Sequence, residues 1–509
     1  MKRFKIQELP TKIFNSLSIV LFLVLFIFSF CSSWVNLWDL KEEYVYQMPD
    51  SFWKNLLGLM FVLLIFGALY YWEKRYTIRG NMDIIAGIFS IVMIGLCIYW
   101  TEASNTMPNG DQYAIALCAE EFEAGDYTRL GKGGYVGVYP QQLGLITFVR
   151  ILFRLFGTGN YRAFQYFNAV MAGLFVFSGY QVVKKLSGNN RLTALFYMML
   201  MMACVPLYCY VPFVYGEMAS TALVMFGAWM LLSVLEHFSP IRVIALSLAM
   251  GLAVQFRKNV LIFIIAFSIV IVLQLLQRAK WQDIVTMAGI VLGVLVLQAC
   301  VDACYKKLIP EDSRAIPNIA YIAMGVNDDR GLAGWHNGYD VDIMKLTDYD
   351  VEAAKQASWD VLTEFLGRCT EEPLYALSFY YRKVSMQWNA PMYQCLAMNN
   401  LLAGEQGAFA KSVYFGFLRK AAEYEMNIYQ LAVYGSILFL LIKKRKTWLS
   451  VKEYLLLIGV FGGFLFSLMW ESKTRYVVPY FFVMLPYVAI GIYEFVEKIH
   501  GIVHLTKKK

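Results

Sequence analysis

Several ionisable side chains stand where long apolar runs end, and their types suit group transfer at a membrane boundary. Asp111 lies in Met107-Pro-Asn-Gly-Asp-Gln-Tyr113, Glu217 in the short turn Tyr215-Gly-Glu217, and Arg257 with Lys258 interrupts an otherwise continuous apolar stretch. Glu471, Lys473 and Arg475 precede the last apolar run. A charge in such a place is costly and is a functional candidate by default. A carboxylate within about 3 Å of a hydroxyl can act as its general base, and Asp111 fits that role; the bland alternative is a turn cap beside Gly110. Guanidinium and ammonium groups suit phosphate, although Arg257 and Lys258 can equally snorkel toward lipid headgroups. Glu471 can serve simply as the salt-bridge partner of Arg475.

Other signals are weaker. Gly131-Lys-Gly-Gly134 lacks the spacing of a phosphate loop, and His336 has no His or Cys nearby to share a metal. Asp328 and Asp329 are the one pair that suggests a divalent ion, so the expectation is no metal. Nine Cys are dispersed without ligand spacing, and no disulfide is assigned.

These residues must be positioned by membrane helices. Of 509 residues, 59% are hydrophobic and 16% charged, against roughly 45–50% and about 25% in soluble domains. The net charge of +8 is spread over short loops, which argues against nucleic acid as a partner. Apolar runs near 11–33, 54–72, 83–100, 163–183, 192–211, 218–235, 241–256, 259–277, 284–302, 427–442, 451–469 and 477–496 predict an all-α polytopic protein of about twelve transmembrane helices. Lys2, Arg3 and Lys5, then Lys74, Arg75 and Arg79, Lys184, Lys185 and Arg191, Arg278 and Lys280, Lys443 to Lys446, and Lys507 to Lys509 all fall on one side. By the positive-inside rule both termini are cytoplasmic in the cell membrane, and the candidate site faces outward.

Two outer segments are long, 101–162 and 302–425. Within the first, Arg150 and Arg154 interrupt the apolar stretch 140–156, which reads as an amphipathic helix at the interface. The expected divisions are 1–82, two N-terminal helices; 83–302, a membrane core; 303–425, a small extracytoplasmic domain, helical from about 350 to 385; and 426–509, the last helices and a basic tail.

Asn109-Gly-Asp-Gln112, Tyr139-Pro-Gln-Gln-Leu143, Tyr215-Gly-Glu217, Phe256-Arg-Lys-Asn259 and Thr474-Arg-Tyr-Val-Val-Pro479, in this order and on one face, resemble the GT-C glycosyltransferases. The nearest branch looks like the family 39 protein mannosyltransferases and their bacterial membrane relatives. Ile322-Ala-Met-Gly325, Gly334-Trp-His-Asn-Gly-Tyr339 and Ser385-Met-Gln-Trp-Asn389 are similar to segments of Gram-positive members. The resemblance implies an enzyme that moves a sugar, with inversion, from a polyprenyl-phosphate carrier to an envelope glycopolymer, glycolipid or protein. Asp111 would be the base and Glu217 would orient it or the acceptor; Arg257, Lys258, Arg475 and Tyr476 would hold the carrier phosphate. Gln112, Tyr139, Gln141, Trp335, His336, Trp388 and Glu471 would contact substrate. The lipid-linked sugar is the donor, and no cofactor is implied. The chain departs from the pattern where family members often carry Asp-Glu, having Asp111-Gln112, and in two additional N-terminal helices. The alternatives are a polysaccharide polymerase, which also has about a dozen helices and outer arginines, and a lipid-sugar flippase or transporter, which would hold its charges nearer the bilayer midplane.

Overall fold

The computed structural model describes residues 6–37, 40, 44–76, 80–329, 331–448 and 450–506. Lys2, Arg3, Lys5, Arg79 and Lys507 to Lys509 lie outside them, as does the side chain of Asp329.

Helices α1 (Glu8–Cys31), α2 (Phe52–Tyr76) and α3 (Met82–Ser104) open the chain, with an antiparallel hairpin of β1 (Ser32–Asn36) and β2 (Val45–Pro49) between the first two. Short helices α4 (Asp111–Glu123), α5 (Tyr135–Val138) and α6 (Leu143–Phe156) follow. Then come α7 (Arg162–Leu186), α8 (Arg191–Ala203), α9 (Val205–Cys209), α10 (Glu217–Glu236), α11 (Pro240–Phe256), α12 (Leu261–Arg278) and α13 (Trp281–Tyr305). The 302–425 stretch, expected on the outer side and called the outer segment for that reason, holds α14 (Asn318–Gly325), α15 (Tyr339–Leu346), α16 (Val351–Glu371), α17 (Pro373–Trp388) and α18 (Ala408–Phe415). Finally α19 (Phe417–Lys444), α20 (Leu455–Met469) and α21 (Val478–Thr506) complete the bundle.

Among the described residues ten helices are long and apolar enough to cross a membrane, α1, α2, α3, α7, α10, α12, α13, α19, α20 and α21, which gives the protein a helical, multi-pass character. Two of the twelve expected spans are shorter. The 192–211 run is broken at Cys204, since Pro206 has no N–H to continue the ladder. The 241–256 run is only the 17-residue α11, ended by Arg257 in extended backbone. The stretch 128–138 and the helix after Pro140 meet at 98°, and counted as one bent span they would make eleven. Helix α6 buries Leu145, Ile146, Val149, Leu152 and Phe153 and gives Arg150 and Arg154 to Glu123 at 2.8 and 2.9 Å.

Helices α10 and α21 are mostly buried within the bundle, while α2 and α13 turn most of their apolar surface outward, as expected where lipid rather than water is the surrounding phase. Small residues set the close crossings. A Cβ on Gly251 of α11 would meet the carbonyl oxygen of Gly293 on α13 at 2.5 Å, and one on Gly293 would meet that of Ser247 at 2.3 Å.

One end of the bundle is tied by ion pairs: Lys184 with Asp83, Lys185 with Glu236, Arg191 with Glu73, Arg278 with Asp283, and Lys443 and Lys444 with Glu494. At the opposite end lie the α4–α6 group and the second outer segment. That segment divides in two. Its α14–α17 part has small apolar clusters of its own, one around Ile316, Tyr321 and Met344 and another around Val326, Phe365 and Phe379. Residues 388–398 instead enter the main core, where Trp388, Met392, Tyr393, Leu396 and Met398 are buried. The carbonyl of Tyr393 accepts from Tyr210 at 2.5 Å and that of Trp388 from Tyr434 at 2.6 Å. All nine cysteines are free.

Candidate active site

The end opposite the basic helix termini holds a cavity of about 460 Å³. Four separate parts of the chain supply its charged groups. Asp111 comes from the first turn of α4, Arg257 and Lys258 from the turn after α11, His336 and Asp340 from the outer segment, and Glu471 and Arg475 from the turn between α20 and α21.

Asp111 follows Gly110, whose φ of +52° and ψ of −128° suit glycine alone. Its carboxylate does not cap α4. It accepts instead from Arg475 Nη2 at 3.0 Å while keeping 41% of its side-chain surface open. Burial raises its pKa, but Arg475, Lys473 and His336 together outweigh burial and hold the group below the usual carboxylate range.

Glu217 is the first residue of α10, with only 1% of its surface exposed, and its carboxylate accepts from Arg257. The two ion pairs are joined through aromatic rings. The Arg257 guanidinium lies 5.4 Å from the Tyr215 ring and 5.8 Å from the Tyr476 ring, and that of Arg475 lies 5.5 and 5.4 Å from the same two rings. Such shelves fix the planes of both guanidiniums and strengthen their hold in a partly dry site. Lys258 donates to Gln298, which in turn donates to Asp302 at 2.8 Å.

The cavity lining is both polar and apolar. Tyr321 stacks on Trp470 at 4.9 Å and 16°, and Trp470 stacks on Phe466 at 5.0 Å and 25°. Phe466 and, from α12, Leu261 and Ile262 also line the cavity.

Comparison with protein-family models, curated proteins and solved structures finds no match.

Of the residues singled out in the sequence, Asp111, Tyr139, Gln141, Arg257, Lys258, His336, Glu471, Arg475 and Tyr476 line this one cavity. Glu217 lies beneath it on Arg257. Gln112 is a buried strut: it donates to Asn109 and to the Met398 carbonyl, each at 2.9 Å, and accepts from Val214 N at 2.8 Å. Trp335 packs with Trp34 and Met386, away from the cavity lining. Trp388 is fully buried, its Nε1 donating to Ser467 Oγ at 3.1 Å. Glu471 is held by the Tyr476 hydroxyl at 2.7 Å, and Arg475 donates to Asp111 at 3.0 Å. Asp328 is held bidentately by Arg382 at 2.6 and 2.7 Å. Tyr135, Gln142, Tyr215, Tyr321, Asp340 and Trp470 also line the cavity and were not chosen from the sequence. Tyr215 and Gln142 sit inside the quoted motifs and were legible there; Asp340 carried no local signal.

Proposed function

We propose that the chain is a membrane glycosyltransferase that moves a sugar from a polyprenyl-phosphate carrier to an envelope acceptor, a glycopolymer, glycolipid or protein, on the extracytoplasmic face. The observation that carries this reading is the meeting of Asp111–Arg475 and Glu217–Arg257, with Lys258, around one cavity whose lining is part polar and part apolar. In this reading Asp111 orients the acceptor hydroxyl and takes its proton late, as an oxocarbenium-like centre develops. A carboxylate held ionised is suited to that late transfer, because it never has to lose a proton first. As the glycosyl–oxygen bond breaks, negative charge grows on the carrier phosphate, and Arg257 and Lys258 stabilise it where it forms. Glu217 keeps the Arg257 guanidinium in place, and no metal is needed in this scheme. Basic residues gathered at the opposite helix ends support the outward orientation. Grouping of the site charges at one end of the bundle, rather than midway along it, favours transfer over transport.

The deciding experiment uses purified protein in lipid nanodiscs, synthetic polyprenyl-phosphate sugars and membrane acceptors. Asp111→Asn is expected to fold and bind the donor but to lose transfer by about 10²-fold or more. Retained transfer in that variant removes Asp111 from the role of base.

A further inference from the structure

A second cavity, of about 490 Å³, lies between α3, α9, α18 and α19 and shares no lining residue with the candidate active site. Its walls are apolar, with Leu96 and Leu418 beside the rings of Tyr99, Trp100 and Tyr208, and among the described residues one charged side chain lines it, Glu425. Hydrogen bonds fix the depth of that carboxylate. Tyr424 donates to the Lys54 carbonyl, in the first turn of α2, at 3.0 Å, and Asn427 donates to Asn55 at 3.2 Å. Glu425 therefore stands level with the start of an apolar span, where tyrosine and tryptophan gather in membrane proteins and lipid headgroups lie.

Glu425 is half-buried, and among the described residues it has no hydrogen bond and no ion pair. Donors near it are taken. Tyr429, which feels its charge, donates to the Leu200 carbonyl at 2.9 Å, and Tyr208 donates to that of Met202 at 3.1 Å. Both oxygens of Glu425 keep accessible surface, so a ligand in the cavity can reach them. An ionised carboxylate in apolar surroundings is costly unless a cation faces it. Aromatic rings in the lining suit an ammonium, whereas a lipid phosphate with no positive charge beside it is repelled by the carboxylate. The apolar walls call for hydrocarbon on the same ligand. A partner helix fits poorly: it is about 10 Å wide and rises about 5.4 Å per turn, so the cavity takes roughly one turn.

We propose that this cavity binds a membrane phospholipid whose headgroup carries a primary ammonium, the ammonium donating to Glu425 and an acyl chain lying against Leu96 and Leu418. Its N–H groups satisfy the carboxylate oxygens and its charge offsets theirs. The site takes no part in the transfer chemistry and stands or falls independently of the transferase reading.

The test measures equilibrium binding of phosphatidylethanolamine, phosphatidylcholine and phosphatidylglycerol, with identical acyl chains, to full-length protein in detergent micelles. Wild type is expected to bind phosphatidylethanolamine about tenfold or more tighter than the other two, the size of a hydrogen bond to a charged group. Glu425→Gln is expected to bring the three lipids within about twofold of one another. Ala421→Phe fills the cavity from an exposed position and is expected to weaken phosphatidylethanolamine by about tenfold or more, which keeps the site testable if the amide variant fails to fold. Phosphatidylcholine bound as tightly as phosphatidylethanolamine overturns the hydrogen-bonded ammonium, and a preference for phosphatidylglycerol replaces it with a hydroxyl. A phosphatidylethanolamine preference that survives either variant overturns the placement of the lipid in this cavity. Exclusion of all three lipids by a co-purifying protein makes a polypeptide the occupant and overturns the proposal as well.

Discussion

On the proposed reading, Asp111 serves as a base only in the company of Arg475. Burial alone would push its carboxyl upward; the guanidinium at 3.0 Å, with Lys473 and His336, reverses the sign. A carboxylate so depressed is ionised throughout the physiological range, so the acid limb of kcat/KM is expected below about pH 4. Its contribution to stability has the same sense: fully present above the unfolded-state value and lost as pH falls through the lower folded-state one. Arg475→Gln removes the opposing charge and leaves burial in force. The acid limb is then expected to move to higher pH, with transfer reduced even at its optimum, and a pH–rate profile of the two proteins checks it. A limb that stays in place would mean that Asp111 is not the titrating group.

The elements that carry these residues meet with no space to spare. A Cβ on Gly216, just before Glu217, would stand 2.2 Å from the Phe256 carbonyl oxygen and 2.7 Å from Arg257 Cγ, so the start of α10 can touch the turn after α11 only through glycine. Gly216→Ala is expected to separate the two elements, lowering both thermal stability and transfer; an unchanged Tm would show that the contact is dispensable. Glu217→Gln tests the same junction electrically. It leaves Arg257 without its counter-charge among buried rings, and breaking such a pair costs about 3–5 kcal/mol, read as a drop in Tm. The same crowding explains what sequence could and could not supply. Breaks in apolar runs marked Asp111, Glu217, Arg257 and Arg475, since a charge at a helix end is visible without knowing the fold. Trp388 and Trp335 have the same composition signature as a sugar-stacking aromatic, but packing against Ser467 in one case and Trp34 in the other is a tertiary property. Asp340 was overlooked for a related reason: its meaning comes from Tyr139, 201 positions away. The twelve apolar runs gave the order of the helices, and only the broken ladder at Cys204 and the short α11 separate that count from ten full-length ones.

At the scale of the molecule, the site depends on a clamp between the outer segment and the bundle. Ser472 N donates to the Gly334 carbonyl at 2.7 Å, and Trp335 pairs with Ser472 in a short parallel bridge. Gly334, at φ +67°, lies so close that a Cβ would meet the Gly325 carbonyl oxygen at 2.2 Å. Behind this contact is Lys383, fully buried on α17, whose Nζ donates to the Gly325 carbonyl and, at 2.9 Å, to that of Trp470. One amine thus fastens α14 of the outer segment to the turn that presents Glu471 and Arg475. Burial pushes this lysine down to about 7, against a smaller opposing pull from Glu471. Its neutral form has two N–H groups for the two carbonyls, so the clamp does not require the charge. Between about pH 7 and the unfolded value near 10.4, the folded state binds fewer protons at this site than the unfolded chain. Stability from Lys383 is therefore expected to rise with pH across that window and to be smallest below it. Lys383→Met keeps the length of the side chain but has nothing to donate. It is expected to flatten this part of the stability–pH curve and to loosen residues 470–475, measured by thermal unfolding from pH 6 to 10 and by amide exchange of that turn. A variant curve that still rises with the wild-type slope would place the titrating group elsewhere, and unchanged exchange would show that the outer segment does not hold the active-site turn.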